Sequence, residues 1–261
     1  MTGISVALVQ AALVGYLPGA ALFRLPFWQR DRRAALDAEE RVFWHVVLSI
    51  AWSLTVVLAL AALGRYTFNL LLGINAGVVL AMLLISSRKL SYAGAAKRPS
   101  WTIVIPIALI ALGCWRFFPV FEYIIGGRDP GAYVNEGLQI AQRGSLEVRD
   151  QAIGDLPHVA QPLFFPPVRG DGTLGNMHMG MFVRDPDKGE VIGQFPQLFP
   201  ASIAIGYGLY GANGLLGARE TTVFWALLGA LSVYFMAARW AGRLAATAAA
   251  ILLTLHVTQV W

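Results

Sequence analysis

Long apolar runs alternate with short charged or turn-forming connectors along most of this chain. Six of these runs reach or approach the roughly 20 residues that an α-helix needs to cross a hydrocarbon core about 30 Å thick. They lie at residues 4–23, 42–63, 67–86, 101–119, 219–238 and 243–261. The pattern therefore predicts an all-α integral membrane protein with about six transmembrane helices.

One long stretch interrupts this pattern. Residues 120–218 carry both acids and bases, and they contain repeated Gly, Pro and Asp-Gly turn signals. Near the end of this stretch, residues 198–211 are apolar, but they contain Pro200 and three glycines and are too short to span a bilayer. We expect a long loop outside the cytoplasm that carries two juxtamembrane helices, of which 198–211 is the second.

The first of these helices has a start signal in the segment GGRDPGAYVNEGLQIAQRG, residues 126–144. Asp129 and Pro130 are typical of an N-cap and a first helical turn, and Gly144 is typical of a helix end. The apolar positions between them suit a helix that lies on a membrane surface. The sequence predicts an interfacial helix over 129–143 with the carboxylate of Asp129 at its beginning.

Composition supports the class of membrane proteins, and it argues against disulfide-stabilised, cysteine-metal and nucleic-acid-binding proteins. Hydrophobic residues make up 57% of the chain and charged residues only 13%, which is typical of polytopic membrane proteins. The one cysteine, Cys114, lies in an apolar run, so an internal disulfide and a cysteine metal cluster are excluded. The net charge of +5 comes from basic residues in short connectors, and we therefore expect no nucleic-acid partner.

The placement of the basic residues predicts the orientation. The connectors at 24–41, 87–100 and 239–243 hold eleven of the twenty Lys and Arg residues but only four of the fifteen acids. By the positive-inside rule these connectors are cytoplasmic, so the N-terminus and the loop 120–218 lie outside a plasma membrane that the chain crosses several times. The connector 24–41, which contains Asp37, Glu39 and Glu40, is expected to be a solvated and partly helical link.

This order of parts resembles the GT-C superfamily of membrane glycosyltransferases, in particular the branch that holds protein O-mannosyltransferases and lipid A aminoarabinose transferases. The segments that carry the resemblance are GRDPGAYVNEG at 127–137, QFPQLFPASIAIGYGLYG at 194–211, and the apolar stretch 218–261. The resemblance covers residues 101–261. Residues 1–100 then form an N-terminal extension of three transmembrane helices.

The resemblance implies an enzyme that moves a sugar from a polyprenyl-phosphate donor to a lipid, glycan or protein acceptor at the outer face of the membrane. Asp129 is the one acid that matches the acidic motif of the family, and it would be the general base. The departing phosphate needs positive charge or a divalent cation. No nucleotide cofactor is expected, since the chain has neither a GxGxxG motif nor a phosphate-binding loop.

Three candidate substrate-binding residues surround Asp129 in the sequence. Arg128 is placed either to pair with the donor phosphate or to face lipid headgroups. Tyr133 and Glu136 follow Asp129 by about one and two helical turns on a similar face. Both are candidates to line the acceptor cleft, and the alternatives are interfacial packing for Tyr133 and solvation for Glu136.

Three further candidates lie elsewhere. Arg116 ends a span among aromatic residues, where it either extends to the interface or contacts an anionic lipid phosphate. His178 is either an ordinary loop histidine or a metal ligand, although no second histidine stands at ligand spacing. Gln197, between two prolines, either shapes the turn before the short helix or touches substrate.

Two other functional classes stay open. A transporter or flippase for a lipid or polysaccharide predicts polar breaks inside the spans, and none is apparent in the sequence. A non-catalytic membrane subunit predicts that Asp129 tolerates replacement. Because the sequence stops at the outer end of a sixth apolar run, we also expect the chain to be the front part of a longer protein or to be completed by a partner.

Overall fold

A computed structural model describes residues 2–25, 32–33, 36–86, 101–120, 129–164, 177–178 and 180–256. The helices are α1 Thr2–Gly15, α2 Leu17–Phe23, α3 Ala38–Ala62, α4 Phe68–Ser86, α5 Val104–Phe117, α6 Asp129–Arg143, α7 Gln151–Gly154, α8 Gln161–Phe164, α9 Leu198–Tyr210 and α10 Gly214–Leu255. The strands are β1 Glu147–Arg149, β2 Met177–His178, β3 Met181–Asp185 and β4 Glu190–Gly193. The predominantly helical class is confirmed.

Four helical stretches among the described residues are long and apolar enough to cross a membrane. They are Ile4–Phe23, Ala38–Ala62, Phe68–Ile85 and Leu198–Leu255, and a shorter apolar stretch covers Trp101–Phe117. The runs predicted at 4–23, 42–63 and 67–86 correspond to the first three. The number of six spans and the orientation in a plasma membrane stay predictions.

Helix α10 joins the last two predicted spans, but it is not straight. Its 42 residues would extend about 63 Å, twice the thickness of a hydrocarbon core. The backbone leaves the helical region at Gly242, where φ is 82° and ψ is 167°. Glycine alone adopts this conformation readily, so the bend falls where the sequence allows it.

The chain forms two compact units. One, which we call the helical unit, comprises residues 1–53, 72–120 and 220–261, and the other, the mixed unit, comprises residues 54–71 and 121–219. The division predicted from the family resemblance, at residue 100, stays a prediction.

A polar network inside the helical unit surrounds a break between α1 and α2. Pro18 lacks an N–H, so the carbonyl of Val14 has no helical donor four residues later. The hydroxyls of Ser49 and Ser53 donate to this carbonyl over 3.0 and 2.9 Å. The amide of Asn75, which is fully buried, donates to Ser53 Oγ over 3.0 Å. The predicted apolar span 4–23 therefore contains a polar break that was not apparent in the sequence.

The apolar core of the helical unit collects side chains from both arms of the bent helix α10. Its buried members are Phe43, Leu109, Tyr234, Phe235, Ala246 and Ala250. In a straight helix, positions 234 and 250 would lie about 24 Å apart along the axis. The bend at Gly242 therefore allows both arms to pack into one core.

The start of α3 carries an ionic cluster. Arg239 Nε donates to Glu40 Oε1 over 2.9 Å, and Arg243 Nη2 pairs with Asp37 Oδ2 over 2.7 Å. Glu39, which is 8% exposed, accepts a hydrogen bond from the hydroxyl of Thr102. The connector that ends here was predicted to be solvated, and that prediction is wrong for its last residues, because the acids meet the cations beside the bend of α10.

The mixed unit contains a small sheet that the sequence did not predict. Four short strands pair antiparallel in the order β1-β4-β3-β2, and Val183 lies opposite Val191. These two valines and Ile153 of α7 form a buried cluster. Because the strands are two to five residues long, their alternation is too brief to stand out among the turn signals of this stretch.

Candidate functional site

We call helix α6 and the residues packed against it the frame of the candidate site. The structure places α6 over Asp129–Arg143, the bounds predicted from its start and stop signals. The second predicted helix, 198–211, is α9 at Leu198–Tyr210. The two helices pack together through a core of Val134, Ile203 and Ala218, so α6 is fixed to its neighbour along its apolar face.

Glu136 is the most buried acid of this frame, with 1% of its surface exposed. Its Oε1 accepts a hydrogen bond from the backbone N–H of Phe195 over 3.1 Å, and its Oε2 accepts one from Nε2 of Gln197 over 3.2 Å. Gln197 Nε2 also donates to the carbonyl of Phe195 over 2.8 Å. The solvated alternative for Glu136 is wrong, because its carboxylate holds the turn between β4 and α9 and is closed to a substrate in this structure.

Burial dominates the electrostatics of Glu136. Removal from water raises the pKa of its carboxyl, and the hydrogen bonds from Phe195, Gln194 and Gln197 offset part of that rise. No ion pair to Glu136 is found within the described ranges. The carboxyl is therefore stabilised by neutral donors.

Tyr133 packs against the same turn. Its ring stacks on that of Phe195, with centroids 4.3 Å apart and planes at 24°, and meets Phe199 edge-on at 5.5 Å. All three rings are partly buried. The described contacts of Tyr133 are thus aromatic packing within the mixed unit, and both its membrane-interface and its acceptor-cleft roles stay predictions.

Asp129 is the first residue of α6 and is exposed, as is Pro130 beside it. Asp129, Tyr133 and Glu136 have the i, i+4, i+7 spacing of one helix face. Arg128 lies outside the described residues. A rigid helix therefore presents an open carboxylate at its beginning, on the face that the Gly193–Gln197 turn covers further along.

The remaining candidates, Arg116 and His178, belong to other elements of the chain. Arg116 belongs to the last turn of α5 in the helical unit and is partly buried. Residue 178 lies in β2, and the side chain of His178 lies outside the described part. Within that part, no three His, Cys, Asp or Glu side chains are grouped to hold a metal ion. A divalent cation stays a prediction.

Two residues of this frame were not singled out in the sequence. Phe195 lies in a turn with no motif of its own, and its contact with Tyr133 joins positions 62 residues apart. Tyr66, 3% exposed, donates through its hydroxyl to the carbonyl of Ala204 over 3.4 Å and through its backbone N–H to that of Gly144 over 3.0 Å. Burial raises the pKa of the Tyr66 hydroxyl. The turn after α3 thereby braces both α6 and α9.

No protein-family model, curated protein or solved structure matches this chain. The resemblance to the GT-C superfamily therefore stays a prediction from the quoted segments.

Proposed function

We propose that this protein is a membrane glycosyltransferase, which moves a sugar from a polyprenyl-phosphate donor to a lipid, glycan or protein acceptor at the outer face of the plasma membrane. One observation carries the proposal: the exposed Asp129 is the first residue of α6, and α6 is packed on α9 and linked through the buried Glu136 to the turn before α9. A fixed and accessible carboxylate meets the first requirement for a general base.

The chemistry assigned to Asp129 is a proton transfer coupled to one displacement. Its carboxylate takes the proton from a hydroxyl or amine of the acceptor, whose oxygen or nitrogen bonds to the anomeric carbon. The bond from that carbon to the phosphate oxygen breaks, and the polyprenyl phosphate leaves with the electron pair. Arg128, which precedes Asp129 in the chain, is proposed to stabilise the phosphate charge.

The test is sugar transfer by membranes that contain the natural full-length protein, with Asp129→Asn as the variant. The amide keeps the shape of the side chain but cannot accept the proton, so we expect kcat to fall about 10²- to 10⁴-fold. Asp155→Asn is the matched control, because Asp155 is also an exposed aspartate of the mixed unit but caps the end of a different helix, α7. Equal rates for wild type and Asp129→Asn would remove Asp129 from the mechanism.

A second candidate, transport of a lipid or polysaccharide, is favoured by the polar break at Pro18. Broken helices whose carbonyls are met by polar side chains are typical of transporters. Here the network of Val14, Ser49, Ser53 and Asn75 is buried and satisfied internally, which also suits a structural role. Transport, like a role as a non-catalytic subunit, predicts that Asp129→Asn has no effect, so the same variant separates these classes from the enzyme.

A further inference from the structure

We propose that Glu136 is a positioning residue that seats the Gly193–Gln197 turn on α6, so that Phe195 forms a wall beside Asp129. This inference rests on the proposed function, because the wall matters only if Asp129 meets a substrate.

The first step concerns where the turn lies on α6. The Phe195 ring stacks on Tyr133, and the Phe195 N–H donates to Glu136, so the turn covers the face of α6 between these two residues. Asp129 continues that face, about 6 Å along the helix axis before Tyr133. The Tyr133 ring on which Phe195 stacks thus belongs to the helical turn that follows Asp129.

The second step concerns what keeps the turn there. Both oxygens of Glu136 are used, one by the Phe195 N–H and the other by the Gln197 side chain. Gly193 fits closely on the other side, since a Cβ at this position would lie 2.6 Å from Cδ of Glu136 and 2.5 Å from Nε2 of Gln197. The carboxylate of Glu136 therefore packs closely against the turn at Gly193 and Gln197.

The third step concerns the cost of this arrangement. A buried carboxylate that is held by neutral donors is less favourable than an apolar side chain in the same space, unless its hydrogen bonds are needed. Tyr133 and Phe199 already supply apolar packing to Phe195. The particular contribution of Glu136 is directional, because its two oxygens fix the backbone of the turn and hence the angle at which Phe195 stands.

The experiment combines two measurements on the full protein in detergent or nanodiscs: hydrogen exchange of the peptide that contains residues 193–197, and kcat and KM for sugar transfer. Glu136→Ala is expected to speed exchange of this peptide about tenfold and to lower kcat about tenfold with a smaller change in KM. Glu136→Gln retains one acceptor and is expected to restore most of both quantities.

Gln139→Ala is the matched control. Gln139 lies on the same helix one turn after Glu136 and donates to the carbonyl of Leu146 over 2.7 Å, so it secures a different loop. We expect Gln139→Ala to leave exchange at 193–197 unchanged. This comparison distinguishes loss of the contact between Glu136 and the turn from a general destabilisation of α6.

Three results would overturn the proposal. Unchanged exchange in Glu136→Ala would show that Glu136 does not hold the turn. Faster exchange with unchanged kcat would show that the turn is not a wall of the site. Absence of transfer by the wild type would refute the proposed function and with it the role of Phe195 as a wall, while the exchange data would still decide whether Glu136 seats the turn.

Discussion

A single glutamate shows how far a residue's role depends on its surroundings. In the sequence, Glu136 belongs to an acidic, glycine-rich helix start, where its two main prospects are contact with substrate and contact with water. In the structure its side chain is buried, because the turn before α9 closes over it. Periodicity placed Glu136 on the face that starts at Asp129, but the partner of that face comes from residues about 60 positions later.

The buried carboxyl predicts a pH dependence of stability. Burial raises the folded-state pKa of Glu136 above the unfolded value near 4.5, so its contribution to stability is fully present below that value and is lost as pH rises through the folded pKa. As pH falls from 7.5 towards 4.5, the unfolding temperature of wild type should therefore rise relative to that of Glu136→Gln. The measurement is thermal unfolding of both proteins in the same detergent. Parallel curves would contradict the assigned shift.

At the scale of elements, local sequence signals located the two long helices of the loop region, α6 and α9, but not the four-residue helices α7 and α8. The bounds of α6 follow from Asp129 and Gly144, and α9 follows a short apolar run limited by turns. The strands were missed because two to five residues give no periodicity above the background of turns. The last two predicted spans form one bent helix, and its break at Gly242 falls between Arg239 and Arg243.

The bend gives a prediction that needs no assay of function. At Gly242, φ is 82°, and a Cβ would have no atom within 4 Å, so any cost of Gly242→Ala is conformational. We expect this variant to lose about 1–3 kcal/mol of stability. Gly229→Ala is the control, because Gly229 lies in the same helix without positive φ and also has open space, and there alanine should gain up to about 1 kcal/mol. Thermal unfolding that ranks the two variants equally would contradict a strained bend.

At the scale of the whole molecule, each of the two compact units has its own contacts between segments that are distant in the sequence. In the helical unit, the acids at the start of α3 pair with the cations at the bend of α10, so these two regions lie side by side. The mixed unit joins the turn after α3 to α6 and α9 through Tyr66. The orientation derived from the charge pattern stays a prediction.

Labelling of single cysteines tests the predicted orientation. In a Cys114→Ser background, cysteines that replace Arg65 and Lys188, both exposed in the mixed unit, should react with a membrane-impermeant maleimide added to intact cells. A cysteine that replaces Trp240, which is 84% exposed beside the bend, should react only after the membrane is opened. The reason is the excess of basic residues in the connectors at 24–41 and 239–243. The reverse pattern of labelling would place Asp129 in the cytoplasm and remove the proposed function.

The sequence by itself determined the predominantly helical class, the long apolar stretches near 4–23, 42–63 and 67–86, and the start of α6 at Asp129. These features depend on local composition, on the length of apolar runs and on neighbouring residues, and all of these can be read directly from the sequence. Only the tertiary structure decided that Glu136 is buried, that Phe195 covers Tyr133, that serines and an asparagine complete the break at Pro18, and that acids of α3 meet the bend of α10. Each of these pairings brings together residues far apart in the chain, and their energies depend on distance and burial that no local pattern specifies.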